Sequence, residues 1–248
     1  MKRRSRRDQE RTYVIEGPTL ISEAVDAGAP VEVFRAPGVD DPVLARVITA
    51  GGRVHDLADG VLERITDTVT PQGMIATSPY RDVGLDDLLG SDVHKAPIVV
   101  LIDVRDPGNA GTILRSAESA GAAGVIACDG SVDLYNPKCV RASAGALFWV
   151  RHVRGGDPPD VIERLRSAGI RCLGAAAHGG TPPTRHLLKP PVALVVGNEA
   201  HGLPSAVADA LDESVTIAVR GRAESLNVAM ATTALLLGSA GLLDGGPE

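Results

Sequence analysis

Val99 to Asp129 reads "VVLIDVRDPGNAGTILRSAESAGAAGVIACD": an apolar run, a polar loop with glycines, a helical stretch, and a second apolar run closed by an acid. Runs of Val, Ile and Leu this continuous belong to strands covered on both faces, as in a parallel sheet. Strand, glycine loop, helix to about Gly121 and strand is the unit from which open α/β folds are built. Dinucleotide-binding proteins share that order, with Asp129 standing where their ribose-binding acid would be. The detail does not fit. Two residues separate Gly108 from Gly111, so GxGxxG is missing, and no GK[ST] makes the loop a P-loop. A nicotinamide-dependent dehydrogenase is left as an alternative that NAD binding would decide. The loop instead offers Asp106 and Asn109, with Arg115 on the first turns of the helix. Asn109 has the side chain of a helix N-cap, and Arg115 taken alone could be a solvated helix residue.

Two later stretches repeat the pattern. "ALVVGNEAHGLP" (Ala193–Pro204) is an apolar strand followed by Gly197, the pair Asn198–Glu199, and Gly202. "IAVRGRAESLNVAMA" (Ile217–Ala231) is a strand, a polar loop with Gly221, and a helix opening at Ser225 and Asn227. In both, polar residues and glycines gather beyond a strand's C-terminal end, where open α/β sheets bind ligands. Gly197 and Gly221 would let backbone come close to one. "RCLGAAA" and "SVTIAV" are read as further strands. The closing helix, Leu226 to Leu243, has no charged residue and approaches the roughly 20 residues of a membrane span. It nevertheless carries Asn227, Thr232, Thr233, Gly238, Ser239 and Gly241, and lacks flanking Lys/Arg and an aromatic belt. A helix buried on most sides, in a core or a subunit interface, is expected.

From Thr12 to about Pro79, short β-rich runs alternate with helical ones. "TYVIE" is a strand, and "PTLISEAVDAG" a helix with Pro18 in its first turn and Gly28 at its end. "VEVFRA" is the next strand, before "DPVLARVITAGG", a helix with Asp41 as N-cap and Pro42 at the first position. A small βαβ-type unit is expected at 12–80, a polar linker with one helical turn at 81–96, and a larger α/β unit at 97–244.

Composition excludes several classes. With 44% hydrophobic and 23% charged residues the chain has the make-up of a soluble globular protein, and at 2% aromatics its core must be aliphatic. Cys128, Cys139 and Cys172 are odd in number and lack CxxC spacing, so neither a disulfide framework nor zinc is indicated. The six histidines form no HExxH pair, and no metal is expected. The basic start runs into "TYVIEGP" without a long apolar core, so a cytoplasmic location is expected. A net charge of −6 argues against a protein that coats nucleic acid indiscriminately. Lys2, Arg3, Arg4, Arg6 and Arg7 crowd the start all the same, as an arm for RNA phosphates or as a disordered solubilising end.

"DPGNAGTILRSAESAGA", "VVGNEAHGL" and "IAVRGRAESLNVAMA" together resemble, in order, the three motifs of the SpoU-type branch of the SPOUT class. Members of that branch are RNA 2′-O-ribose methyltransferases that use S-adenosyl-L-methionine. "DLYNPKCVRASAGALF" is also similar to family sequence, and the likeness covers 97–243. "IEGPTLISEAV" and "TVTPQGMIA" resemble the small ribosomal-protein-like α/β domain that many members carry to hold RNA. The chain departs from the pattern at Ile217-Ala218-Val219, where the family usually reads Ile-Pro-Met, and at Ala229, where Ser is frequent.

The resemblance implies a parallel sheet with a trefoil knot, and a homodimer with the site shared across its interface. It implies catalytic roles for Arg115, Asn109, Glu199, Ser225 and Asn227, with Arg115 acting on the 2′-hydroxyl. A guanidinium is always protonated, so Arg115 is expected to stabilise the developing alkoxide and grip a neighbouring phosphate. Glu199 would orient Arg115 through an ion pair or cap its own turn. Leu194, Val196, Gly197, Asn198, Ile217, Val219, Leu226 and Asn227 are the implied cofactor contacts. Arg3, Arg4, Arg6, Arg7, Arg115 and Arg141 are the candidates for RNA. The expected substrate is a structured RNA, 23S-type ribosomal RNA ahead of transfer RNA. An RNA-binding protein of the same fold without turnover is the alternative.

Overall fold

The computed structural model describes residues 3–66, 71–90 and 93–242. Lys2 of the basic start, Thr68–Thr70 of "TVTPQGMIA", Ser91 and Asp92 of the expected linker, and Leu243 and Asp244 lie outside those residues. The first half runs α1 (Arg4–Glu10), β1 (Thr12–Glu16), α2 (Pro18–Asp26), β2 (Glu32–Arg35), α3 (Pro42–Thr49), β3 (Arg53–Asp56), α4 (Val61–Ile65) and β4 (Met74–Pro79). Helix α5 (Leu85–Leu89) leads to β5 (Ile98–Leu101), α6 (Pro107–Ser119), β6 (Gly124–Ala127), α7 (Pro137–Ala142), α8 (Ala146–Trp149) and β7 (His152–Arg154). The chain then forms α9 (Pro158–Ser167), β8 (Arg171–Ala175), α10 (Arg185–Leu188), β9 (Val192–Val196), α11 (Ser205–Ala208), β10 (Glu213–Val215) and α12 (Val228–Ser239).

The later strands build a six-stranded, wholly parallel sheet in the order β10-β8-β9-β5-β6-β7. The runs Ile98–Leu101 and Val192–Val196 lie at its centre, buried on both faces. This is the expected α/β architecture. The earlier strands form a mixed sheet, β1-β4-β2-β3, in which β2 and β3 are parallel and β4 is antiparallel to both its neighbours. Only β2-α3-β3 is thus the expected βαβ unit with adjacent parallel strands, because the residues of "MIATSP" carry no mark of strand direction. Strand β7 is three residues, too short to signal itself in sequence. Strand β10 stops at Val215, short of the expected "SVTIAV". It is the last strand of the sheet, beside β8 and bridged on its other side by Thr181, and at Thr216 the chain turns away, its hydroxyl donating to the Ala176 carbonyl at 3.0 Å.

Local signals fix the helices that position the later site. Asp41 caps α3 and Pro42 opens it, as expected. Helix α6 is capped by Asp106, whose Oδ1 accepts the Asn109 amide at 2.8 Å. Asn109 is therefore not the N-cap, and its side chain is released for other work. Gly111 lets α7 press on α6: a Cβ there would lie 2.5 Å from the Ala142 Cβ and 2.6 Å from the Cys139 carbonyl. Helix α12 spans Val228–Ser239, and among the described residues no helix is long and apolar enough to cross a membrane.

The two sheets share one apolar cluster, running from Ile15, Ala24 and Val33 to Val140, Leu147 and Phe148. A second cluster, with Leu88, Ile126 and Ile162, covers the other face of the parallel sheet. Leu88 is fully buried, and the Val83 amide donates to the His152 carbonyl at 2.9 Å, so the stretch read as a linker is packed against the second half.

All three tyrosines meet where the halves join. Tyr80 and Tyr135 stack at 4.0 Å between centroids, and Tyr13 lies 4.6 Å from Tyr135. The Arg154 guanidinium sits 4.5 Å over Tyr80 and donates to Asp8 at 2.8 Å. Arg7, 2% exposed, donates to Asp133 at 2.6 Å, and Arg154 approaches the other Asp133 oxygen at 3.2 Å. Arg7 is therefore no RNA contact. A long cation this deep persists only because a carboxylate neutralises it. Arg4 and Arg6 stay on the exposed side of α1, paired with Asp8 and Glu10 one turn on. His152 is buried beneath the stack. The Val150 carbonyl can only accept from Nδ1, at 3.0 Å, so Nε2 accepts from the Tyr135 hydroxyl at 2.9 Å.

Arg7→Ala would leave Asp133 with Arg154 and the Tyr135 amide but without its closest cation; a loss of about 3 kcal/mol in urea unfolding is expected. Burial holds His152 below the usual histidine range, so it stays neutral when folded and takes up a proton when unfolded. Its contribution is whole above about pH 6.5 and lost as pH falls below that. Unfolding free energy should drop by roughly 1 kcal/mol between about pH 7.5 and about pH 5.5, and the drop should shrink in His152→Gln.

Candidate active site

The loops after β5, β9 and β10 converge at the C-terminal edge of the parallel sheet, and Asn109 is where they meet. Its Nδ2 donates to Glu199 Oε1 at 2.7 Å, while its Oδ1 accepts from Asn227 Nδ2 at 3.1 Å. Asn227 is itself the N-cap of α12, its Oδ1 accepting the amides of Ala229 at 2.9 Å and Met230 at 3.4 Å. One carboxylate and two amides thus tie three separate segments together. Asn198 pins the second loop by donating to the Asp103 carbonyl at 3.0 Å. The Asn109 amide, aided by Lys138 at 3.4 Å, holds the Asp106 carboxyl below its usual range, so the cap of α6 stays ionised at neutral pH.

Beside this knot of hydrogen bonds opens a cleft of about 410 Å³. Val196, Val215, Ile217, Leu226 and Leu235 supply its apolar surface. Glu199, His201, Glu224 and Ser225 supply polar groups. The volume lies within the roughly 300–1,000 Å³ of small-molecule sites. Gly197 is required for its shape: a Cβ there would stand 2.4 Å from the Gly202 carbonyl oxygen, across the tight 198–202 turn. Arg115 is exposed on α6, at three-residue spacing through Thr112 from Asn109, roughly 9 Å further along the axis. Its guanidinium has no ion-pair partner among the described residues. Burial pushes the Cys128 and Cys172 thiols up to about 12, which leaves these two cysteines inert as nucleophiles.

Residues 96–237 match the SpoU rRNA Methylase family. The chain belongs to that family. Residues 1–76 match the MRM3-like substrate binding domain. The 23S rRNA (guanosine(2553)-2'-O)-methyltransferase RlmP of Bacillus subtilis is 31% identical over 93% of this chain and 89% of its own length. The 23S rRNA (uridine(2479)-2'-O)-methyltransferase of Streptomyces viridochromogenes is 33% identical over 94% and 84%. Among solved structures, the SpoU methyltransferase AviRb of S. viridochromogenes with AdoMet superposes with a TM-score of 0.85 at 28% identity, covering 99% of this chain and 95% of that one. An AdoMet-bound rRNA methyltransferase from Sinorhizobium meliloti gives 0.83 at 31% identity, over 98% and 92%.

In this SpoU-family chain the structure gathers Asn109, Glu199 and Asn227 directly and sets Ser225 on the cleft wall. Arg115 stands apart from Glu199, so the ion pair, one of the two readings of Glu199, is not formed; Glu199 is taken by Asn109 instead. Val196, Gly197, Asn198, Ile217 and Leu226 line the cleft, whereas Leu194, Val219 and Asn227 do not. Leu194 is mid-strand in β9, between Val99 and Leu173, its side chain in the core. Arg141 is turned away from the cleft and donates to Glu16 at 3.0 Å. Sequence reasoning missed Ala175–His178, which forms part of the wall. Its signal was present in "AAAHGG": small residues just past a strand end, as in the other two loops. Gly197→Ala should weaken S-adenosyl-L-methionine binding by about tenfold or more in calorimetry, since the turn must move to admit the methyl group.

Proposed function

We propose that the chain methylates the 2′-hydroxyl of a ribose in 23S-type ribosomal RNA, with transfer RNA the second substrate class and S-adenosyl-L-methionine the donor. The observation that carries this is the meeting of Glu199 and Asn227 on Asn109, 2.7 and 3.1 Å away, at the mouth of the cleft. The residues fit the donor. The apolar strip from Val196 to Leu235 suits a flat heterocycle, and the carboxylates of Glu199 and Glu224 suit cationic centres. Bound there, the donor supplies an electrophilic methyl group on a sulfonium.

The chain's own residues do the rest by position and electrostatics. Asn109 fixes the three loops, and the apolar strip keeps water out. Arg115 stays protonated, so it serves as a fork of donors: it grips a phosphate and stabilises the oxygen as its proton departs to water or a phosphate oxygen. Ser225 offers the ribose a hydroxyl on the cleft wall. A homodimer belongs to the same reading, supported by exposed apolar side chains at the C-terminal helix: Met230 on α12 is 62% exposed and Leu242, just past its end, 60%. The trefoil knot rests on kinship with the family. Residues 12–80 are read as the RNA-holding unit, and the cytoplasm as the compartment where ribosomal RNA is met.

Methyl transfer from labelled S-adenosyl-L-methionine to unmodified ribosomal and transfer RNA tests the reading. Alkali-resistant label on ribosomal RNA is expected, with kcat lowered at least about 100-fold in Arg115→Ala. Arg115→Lys should recover little, because an ammonium lacks the planar fork. Alkali-sensitive label would mean base methylation and would refute the mechanism.

A further inference from the structure

The outer face of the N-terminal sheet bears an apolar strip, Val14, Ile75 and Phe34, between polar residues such as Glu16, Glu32 and His55, where the solvent side of such a sheet is ordinarily polar. Alternation along β1 and β4 sends Tyr13, Ile15, Met74 and Ala76 into the core and leaves Val14, Ile75 and Thr77 on the other side. The register sets Phe34 opposite Ile75 on one side and His55 on the other, and the Phe34 ring stacks on His55 at 5.1 Å. Val14, Phe34, Ile75, Thr77 and Leu57 floor a groove of about 670 Å³ bounded by α1, α4 and α7.

Four arginines surround it: Arg3 and Arg6 at α1, Arg64 on α4 and Arg141 on α7. The lining's one carboxylate, Glu16, is engaged by Arg141 at 3.0 Å, and Glu10 engages Arg6 at 2.6 Å. Arg3 and Arg64 have no ion-pair partner among the described residues. In a chain of net charge −6 this is a local excess of cations over an apolar floor that carries one aromatic ring, Phe34. An apolar peptide would not call for the guanidiniums, and a free phosphate would not call for the floor. An unstacked nucleobase with its flanking phosphates calls for both. Helix α7 links the groove to the active site: Pro137 and Arg141 face the groove, while Lys138 reaches Asp106, the cap of α6, at 3.4 Å.

We propose that this groove is a second RNA site, which takes one unstacked base of a single-stranded substrate segment against Phe34 while Arg3 and Arg64 hold the neighbouring phosphates. Its role as a substrate site rests on the methyltransferase reading; its ability to bind RNA does not. The test uses the full chain, a fluorescein-labelled single-stranded decaribonucleotide, and unmodified 23S ribosomal RNA. Phe34→Ala and Arg64→Glu should each weaken oligonucleotide binding about tenfold and raise the KM for ribosomal RNA by a similar factor, with kcat at saturating RNA held. Phe34→Tyr, which keeps a ring, should restore both. Arg64 is exposed, so its variant serves if Phe34→Ala fails to fold. Unchanged affinity and KM in Arg64→Glu and in any folded Phe34 variant would overturn the proposal. So would a dimer that dissociates on these substitutions, since the occupant would then be a second copy of the chain. Oligonucleotide binding that depends on Phe34 and Arg64, without methyl transfer to any RNA, would uphold the groove and reject the methyltransferase reading.

Discussion

The buried pairing of Arg7 with Asp133, roofed by Arg154 and the stacked tyrosines, sets the angle between the two sheets. Buried ion pairs contribute little net stability, yet breaking one leaves a charge without solvent, so they hold a geometry better than they strengthen it. Here the geometry carries the function. One sheet bears the arginine-rimmed groove, the other the cleft, and an RNA touching both meets a fixed spacing rather than two units on a tether. Orientation set in advance is entropy that the substrate complex need not lose. Half of the chain's six aromatic side chains, the three tyrosines, lie at this junction, where their rings add geometric preference to apolar burial.

At the active site the organising group is neutral. Asn109 donates to a carboxylate and accepts from an amide at once, which neither aspartate nor lysine could do. It is free to do so because Asp106 has taken over the capping of α6. Among the described residues no carboxylate pairs with Arg115, so its donors remain available for a polyanion. The exposed Arg115 and the occupied Glu199 are two sides of one arrangement.

Much of this was legible in the chain. The central strands announced themselves as unbroken apolar runs, α3 by its Asp-Pro cap, and the three loops by glycines and small polar residues past strand ends. What escaped has identifiable causes. Direction leaves no mark on an alternating strand, which hid the antiparallel β4. Arg7 sits in a basic cluster, and nothing local distinguishes it from Arg4 or Arg6; its partner lies 126 positions away. Leu194 and Val219 were placed at the cofactor by family likeness, yet side-chain direction along a strand and departure from the sheet edge decide such matters, and both depend on tertiary context. The outer groove was invisible because Val14, Phe34 and Ile75 become neighbours only once three strands are in register.

Asn227 serves two structures with one side chain: its oxygen closes the first turn of α12 and its nitrogen reaches Asn109. Winding of that turn and assembly of the site are therefore one cooperative event. A disturbance that frays the start of α12 would silence the protein while its sheets stay intact. The converse also holds: whatever secures Asn109 lends order to the C-terminal helix. On the proposed role of Asn109 and Asn227, activity would gauge local order at a single helix end before global unfolding begins.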